Sequence, residues 1–528
     1  MKKKNLTIIC ALAMAMTLTA CGQSTTTTTE TTTTEAVETT SSEASEATNN
    51  ENTETTNAET SETTGADDND ASDVAEPDQT DKKAEAPDSQ TPPDKPDGAG
   101  DENSQGTPPD KPDGDGQGGP EGGNFGGSGE VTQGDSANTI DSGGTYSNET
   151  YSSTGDDENA LRVDAAIVTL DGITVDKSAG SSSNTEDGDF YGMNAALLAT
   201  NGATVTIKDA NVASSAQNGN GVFSYGSGTT VNISDSTITT TADNSGGIQT
   251  TGGGTTNASN LTVTTSGNSS AAIRSDRGGG TVNVDGGTYT SNGYNSPAVY
   301  STANITVKNA ELTANNSEAL VIEGGNSIAL EECTVYGNMS DTKGSSSDEN
   351  VHNVMIYQSM SGDAEIGTSS FTMTGGSLTS NNGDMFYITN TNCTLSLTGV
   401  KLTSKDSDGY LLNVTGNSAS HGWGSAGSNG AQVTFTANKQ TLEGDIRVDS
   451  ISTLDMTLSG NSTFTGTINV VDNEDGGTAV SDNAVVTIEK GSTWILTGNC
   501  MISSLTNNGT INFNGYTITL ADGTVLSE

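Results

Sequence analysis

Two short stretches, Val205-Thr-Ile-Lys-Asp-Ala-Asn-Val212 and Val231-Asn-Ile-Ser-Asp-Ser-Thr-Ile238, carry the pattern that decides the fold. In both, apolar residues occupy positions one, three and eight, which indicates a short strand with one buried side followed by a bend. Position five is a turn-forming residue in both stretches, and position six is small enough to point back inward. Windows with this pattern begin at Val168, Val205, Val231, Thr256, Val282, Ile305, Ile328, Phe371 and Leu395.

The spacing of these windows predicts how they stack. Most successive windows begin 23 to 26 residues apart, a step that suits one coil of a right-handed parallel β-helix. Two longer steps predict loops that leave the coil, near residues 177–191 and 337–350. We therefore predict an all-β fold, a right-handed parallel β-helix (solenoid), over residues 129–528. The repeat loosens after Val433, where we expect further coils and a closing cap.

A second strand recurs between the windows, as in Ala298-Val-Tyr-Ser301, and a third strand per coil is expected. Outward residues of stacked strands form columns with rungs about 4.8 Å apart. The predicted columns mix aromatic rings, which stack on sugars, with amides and carboxylates, which pair with hydroxyls. A solvated face with chance aromatics is the alternative interpretation. The candidate carbohydrate-binding residues on this ridge are Phe223, Arg274, Asp276, Tyr300, Glu323 and Tyr387.

Two loops add further candidates. Trp423 lies in a Gly- and Ser-rich loop, where an exposed indole could bind sugar but an indole packed over the coil edge could not. Asp187 and Asp189 crowd another loop with Glu186, and clustered carboxylates can hold calcium. No EF-hand spacing is present there, so a solvated acidic loop is the alternative to a calcium site.

Composition narrows the class of protein. The 528 residues carry a formal net charge of −49, include 65 glycines and are only 4% aromatic. Such a chain suits stacked strands joined by turns better than a helical core. Its charge should repel nucleic acid and anionic lipid, so nucleic acid is not an expected partner. Cys333, Cys393 and Cys500 show no metal-site spacing, and we expect buried free thiols.

The N-terminus predicts export and anchoring. Three lysines precede a short apolar run that ends in Leu18-Thr-Ala-Cys21, so residues 1–20 indicate a lipoprotein signal peptide with lipidation at Cys21. An ordinary secretory signal with a chance cysteine is the alternative. Residues 21–128 are rich in Thr, Ser and Glu and then in Pro and Gly, which predicts a disordered tether. We expect a lipid-anchored protein on the extracellular face of the cell membrane.

Catalytic motifs give little support for an enzyme. The sequence contains no Gly-x-Ser-x-Gly elbow, His-Glu-x-x-His motif or phosphate-binding loop. One constellation can be drawn for a calcium-dependent polysaccharide lyase, with Arg274 or Arg277 as base near Asp276 and Glu323. Four charged residues on a surface are more often structural or solvated.

Together, the lipobox, the tether and rungs such as Ser296-Pro-Ala-Val-Tyr-Ser301 resemble the adhesin-like and carbohydrate-binding β-helix lipoproteins of Gram-positive bacteria. Phe190-Tyr-Gly-Met-Asn-Ala-Ala196 and Leu442-Glu-Gly-Asp-Ile446 are similar to elements of that group. The resemblance extends from Asn159 to the C-terminus. It implies a pectate-lyase-like solenoid, surface exposure and binding of acidic plant polysaccharide with calcium.

Three functions follow as expectations. The first is a non-catalytic cell-surface module for adhesion or for binding a polysaccharide or host glycan. The second is a calcium-dependent polysaccharide lyase. The third is a structural surface protein without a specific ligand.

Overall fold

A computed structural model describes residues 131–340 and 350–528. Within them the chain forms a right-handed parallel β-helix, as predicted, with three strands in most coils. The predicted signal peptide, Cys21 and the tether to residue 128 lie outside the described residues. Part of the predicted 337–350 loop also lies outside them, at 341–349.

The repeated window forms the first two strands of each coil. Strands that hold positions one to four form the first face, and strands that follow the bend form the second face. The first face contains Gly144–Ser147, Ile167–Asp171, Thr204–Lys208, Thr230–Ser234, Asn304–Lys308, Ser327–Glu331, Thr368–Thr374, Asn392–Thr398, Gln432–Asn438, Thr453–Ser459, Ala484–Ile488 and Ser504–Asn507.

The second face contains Thr150–Ser153, Thr174–Lys177, Asn211–Ser214, Thr237–Thr240, Glu311–Ala314, Thr334–Gly337, Ser377–Ser380 and Lys401–Ser404. Gly254–Thr265 and Gly280–Ser291 run through the bend unbroken, so the two faces join as one 22-stranded sheet among the described residues. In the last coils the second face separates into a sheet of Thr441–Glu443, Thr463–Thr465, Thr493–Ile495 and Thr510–Asn512.

The intermediate strands form the third face, a sheet that extends over the whole described length. It contains Thr139–Ile140, Leu161–Asp164, Leu197–Thr200, Val222–Tyr225, Ile248–Thr251, Ile273–Ser275, Val299–Ser301, Leu320–Glu323, His352–Tyr357, Asp384–Thr389, Leu412–Val414, Ile446–Asp449, Ile468–Val471, Cys500–Ile502, Ile518–Leu520 and Val525–Leu526. The last of these folds back antiparallel on Ile518–Leu520. A two-stranded sheet of Asp135–Ser136 and Glu158–Asn159 completes the N-terminal coil.

The bend between the first and second faces is made by one left-handed residue. Asp209, Asp235, Asn260 and Asn309, all at position five, have φ between 49° and 53°. Gly, Asn and Asp tolerate this conformation better than other residues, which explains the composition of position five. Glu332 adopts the same conformation, at φ 52°, although a glutamate is less favourable there than Gly, Asn or Asp.

The core lies inside the coil and follows the predicted positions. Val205, Ile207 and Val212, at positions one, three and eight, are buried, and the same holds for the equivalent residues of the other windows except Leu402, which is partly buried. Cys333 fills position six and is buried. Cys333, Cys393 and Cys500 are free and buried, as expected.

A ladder of serines joins the second and third faces, and sequence reasoning did not identify it. The hydroxyls of Ser245, Ser270, Ser296 and Ser317 each accept a backbone N–H from the preceding coil, at 2.9–3.0 Å. Each serine lies three residues before a strand of the third face and is buried. The ladder satisfies backbone groups that a corner would otherwise leave unpaired.

The long step near 177–191 carries helix α1, Thr185–Tyr191. Asn184 caps its first turn by accepting the Glu186 N–H, and Gly192 ends it in the left-handed conformation at φ 82°. In the described ranges there is no helix long and apolar enough to cross a membrane.

Candidate functional site

The predicted ridge exists as a column on the third face. Backbone pairing aligns Phe223 with Gln249, Gln249 with Arg274, and Arg274 with Tyr300. The column continues through Val321, Met355, Tyr387 and Asn413. Sequence reasoning missed the rung His352–Tyr357, which supplies Met355 and Tyr357. The apolar run Val354-Met-Ile356 was the signal that could have revealed it.

The ridge was expected to be exposed to solvent, but several of the predicted binding residues are buried. Phe223 is 0% exposed, Tyr387 2% and Trp423 5%. Phe223 and Tyr387 point away from the core but are covered by other parts of the chain, and Trp423 belongs to one of the three segments that lie on this face. We call these the covering segments: 183–193, which contains α1, then 358–366 and 416–430. Outward direction on a strand therefore did not mean contact with solvent.

The first covering segment is held by polar side chains of the rung Ile248–Thr251. Gln249 donates from Nε2 to the Asp189 carbonyl at 2.5 Å, and Thr251 donates from Oγ1 to the Phe190 carbonyl at 2.5 Å. Phe223 packs beneath the segment with Leu198 and Ala195. These contacts fix α1 across the third face.

Arg274 is the main charge contact with this segment. Its Nη2 lies 3.1 Å from Asp189 Oδ2 and 2.9 Å from Asp276 Oδ2. All three side chains are at most 14% exposed. Burial raises the pKa of Asp276 to about 7, although Arg274 opposes that rise. Burial alone would lower the pKa of Arg274, but Asp189 and Asp276 together raise it above its usual range.

The prediction of a calcium site at Asp187 and Asp189 conflicts with this ion pair, because Asp189 is already paired with Arg274. Asp189 also accepts the Asn218 amide at Oδ1, 3.0 Å away, so its carboxylate is already engaged. Burial raises the pKa of Asp187. No group of three or more His, Cys, Asp or Glu in the described ranges is placed to hold a metal ion. The geometry favours Asp189 as an ion-pair partner over a calcium ligand.

The second covering segment is held by a buried carboxylate. Glu323 is 2% exposed, and it accepts the hydroxyls of Tyr300, Tyr357, Ser359 and Ser361, with the Tyr357 contact at 3.1 Å. Burial raises the pKa of Glu323, and these hydrogen bonds oppose that rise. Glu323 thus fixes both tyrosine hydroxyls and the start of the segment.

Arg277 links the first two covering segments. Its guanidinium lies 4.0 Å from the centre of the Phe190 ring in α1. Its Nη2 is 2.7 Å from Asp363 Oδ1 in the second segment, and the two side chains are 35% and 25% exposed. Arg277 therefore holds two segments together that are far apart in sequence.

The third covering segment places Trp423 on the column. Its indole is 4.8 Å from the Tyr357 ring centre to centre and packs with Val321, Met355 and Tyr387. Asn429 donates to the Trp423 carbonyl at 2.9 Å. Of the two alternatives for this indole, the structure has the packed one.

Between the first and third covering segments lies a group that we call the seam cluster: Arg277, Tyr300, Glu323, Tyr357 and Asp363. Tyr300, Tyr357, Arg277 and Asp363 are partly exposed. The other predicted carbohydrate-binding residues support or flank it from buried positions: Phe223, Arg274, Asp276 and Tyr387 of the ridge, and Trp423 of the loop. Ser359, Ser361 and Asp363 were not predicted, because only the folded chain brings their segment to this face.

The arrangement does not favour a lyase base. Both guanidiniums that could act are paired with carboxylates. The pKa of Arg277 is lowered by burial but raised more by Asp363, so the group stays protonated. His352 is buried, and its Nδ1 lies 3.0 Å from the Asn350 carbonyl.

Comparison with known protein families found no match for this chain. No curated protein is significantly similar to it.

Proposed function

We propose that this chain is a lipid-anchored extracellular protein that binds glycans through the seam cluster and does not cleave them. The observation that carries the proposal is the placement of Tyr300 and Tyr357. Both residues are partly exposed, and both hydroxyls are fixed by one buried carboxylate, Glu323. Rings held in place lose little entropy when a sugar stacks on them.

The surrounding groups suit the same ligand. Arg277 and Asp363 offer hydrogen-bond donors and acceptors, and Ser361 connects Asp363 to Glu323. Burying Glu323 without a cation is costly, and perturbed carboxylates of this kind cluster at functional sites. The lipobox at Cys21 and the long tether support presentation outside the cell.

The test is retention on immobilised glycans. The full chain with Cys21→Ser, which prevents lipidation, is passed over a panel of insoluble and immobilised polysaccharides, with calcium and with chelator. We expect retention on a few related glycans, and loss of most of it with Tyr300→Ala combined with Tyr357→Ala. Tyr336→Ala is the matched control, because Tyr336 is a partly exposed tyrosine on the second face.

The outcomes separate the three functions. If Tyr336→Ala weakens glycan retention as much as the double variant at Tyr300 and Tyr357, the binding site does not lie at the seam cluster. Release of an unsaturated product that absorbs in the ultraviolet would support the lyase instead. Absence of retention on every glycan would favour a structural surface protein.

A further inference from the structure

The covering segments set how much of the third face a ligand can reach. Gln249 and Arg274 are buried on the rungs before Tyr300, and Tyr387 and Asn413 are buried on the rungs after Tyr357. Tyr300 pairs with Val321, and Glu323 of that rung pairs with Tyr357. The two tyrosines are thus two rungs apart, about 10 Å at the usual strand spacing. The partly exposed stretch between the two tyrosines is therefore about as long as one or two sugar units, which is too short for an extended chain.

The charges at the seam set which sugars fit. Arg274 is shared by Asp189 and Asp276, and Arg277 is paired with Asp363. Glu323 accepts only hydroxyls among its recorded contacts. Within the seam cluster itself, two carboxylates, Glu323 and Asp363, stand beside one guanidinium, that of Arg277. This excess of negative charge repels a uronate, whereas carboxylates accept hydrogen bonds from neutral sugar hydroxyls.

From these two observations we infer that the seam cluster takes a short, uncharged saccharide of one or two units, such as a chain end. The inference rests on the proposed function and narrows it. It departs from the extended acidic polysaccharide that the family resemblance implies. A ligand of that kind would need a long open column and free cations, and the seam offers neither in the residues described.

Calorimetry with defined oligosaccharides tests the inference. The full chain with Cys21→Ser is titrated with maltose, cellobiose and lactose, with maltohexaose and cellohexaose, and with di- and hexagalacturonate, each with calcium and with chelator. We expect one neutral disaccharide to bind with a Kd within about twofold of its hexamer, and galacturonates to bind at least about tenfold more weakly.

A variant tests the charge argument separately. Glu323→Gln keeps the shape of the side chain and one acceptor oxygen but removes its negative charge. We expect it to narrow the discrimination between neutral sugar and galacturonate, and a melting curve checks that the variant is folded. Unchanged discrimination in a folded variant would overturn the role given to charge.

Other results would overturn the inference in distinct ways. A hexamer that binds at least tenfold more tightly than its disaccharide would show a longer site. Preference for galacturonate would reverse the charge argument. Both results would leave glycan binding intact, whereas no binding by any of these sugars would overturn the inference and the proposed function together.

Discussion

The first and second faces differ from the third in how they use side chains. On the second face, Thr239, Thr264 and Thr290 stand in register on successive rungs, and all three are partly exposed. On the third face, Arg274, Asp276 and Glu323 are buried beneath covering segments. Stacked strands bring equivalent residues within about 4.8 Å, where like charges repel. Uncharged threonines therefore suit the open faces, where exposed charges such as Lys308 and Glu331 pair with the opposite charge on the next rung.

The largest effect should come from removing a buried charge on the third face. Arg274→Ala leaves Asp189 and Asp276 buried without their cation, so we expect a loss of about 3–5 kcal/mol in the free energy of unfolding. Urea denaturation followed by circular dichroism measures it. Lys308→Ala, which breaks an exposed pair with Glu331 on the first face, is the control and should change little. Equal losses from both variants would erase the distinction between the faces.

A smaller effect should come from placing charges on an open face. Changing Thr239, Thr264 and Thr290 together to Asp creates two adjacent like-charge pairs, each costing about 1 kcal/mol in water. We expect a loss of about 2 kcal/mol in the free energy of unfolding, reduced by added salt. In the control, Thr264 becomes Lys between the two Asp residues and much of the loss should disappear. If the loss of stability changes neither with added salt nor with the sign of the charge at position 264, then low strand propensity of the new residues is its cause, not charge repulsion.

The bend between the open faces predicts a modest gain. Glu332→Gly relieves the left-handed backbone at position five, with a net gain of about 0.5 kcal/mol after the greater entropy of unfolded glycine is included. Glu331→Gly, one residue earlier in the strand, should lower stability. A difference in denaturation midpoint between the two variants measures the effect, and a loss in both would contradict this account of the bend.

A separate effect, on the pH dependence of stability, belongs to the third face. The pKa of Asp276 is raised by burial to about 7 in the folded protein, from about 3.9 when unfolded. Between those values the folded state binds more protons, so this group makes the free energy of unfolding fall as pH rises from about 4 to 7. Denaturation series at several pH values should show a flatter dependence for Asp276→Asn. Identical pH profiles would mean that Asp276 does not titrate in this range.

The sequence predicted the β-helix because its evidence is local and repeated. Apolar positions one, three and eight, the turn residue at five and the common spacing all act within one coil or between neighbours. The columns of the third face followed from the same register, including the alignment of Arg274 with Tyr300.

The covering segments could not be predicted in this way. Arg274 reaches Asp189 across 85 residues, and Arg277 reaches Asp363 across 86. Such contacts depend on where the loops fold back onto the coils, and the repeat pattern of the sequence carries no information about that placement. The burial of Phe223, Tyr387 and Trp423 is the direct result, and so is the grouping of Ser359 and Ser361 around Glu323.

The serine ladder has a consequence for how this protein can change its length in evolution. Ser245, Ser270 and Ser296 make the same bond to the preceding coil, so one such corner is interchangeable with the next. Duplicating one coil at a regular position would lengthen the solenoid by about 4.8 Å and restore every corner bond. The same duplication between Gln249 and Arg274 would pull apart the groups that hold α1. The corner bonds of these coils would therefore tolerate an added coil, whereas the contacts of the same coils with α1 would resist it.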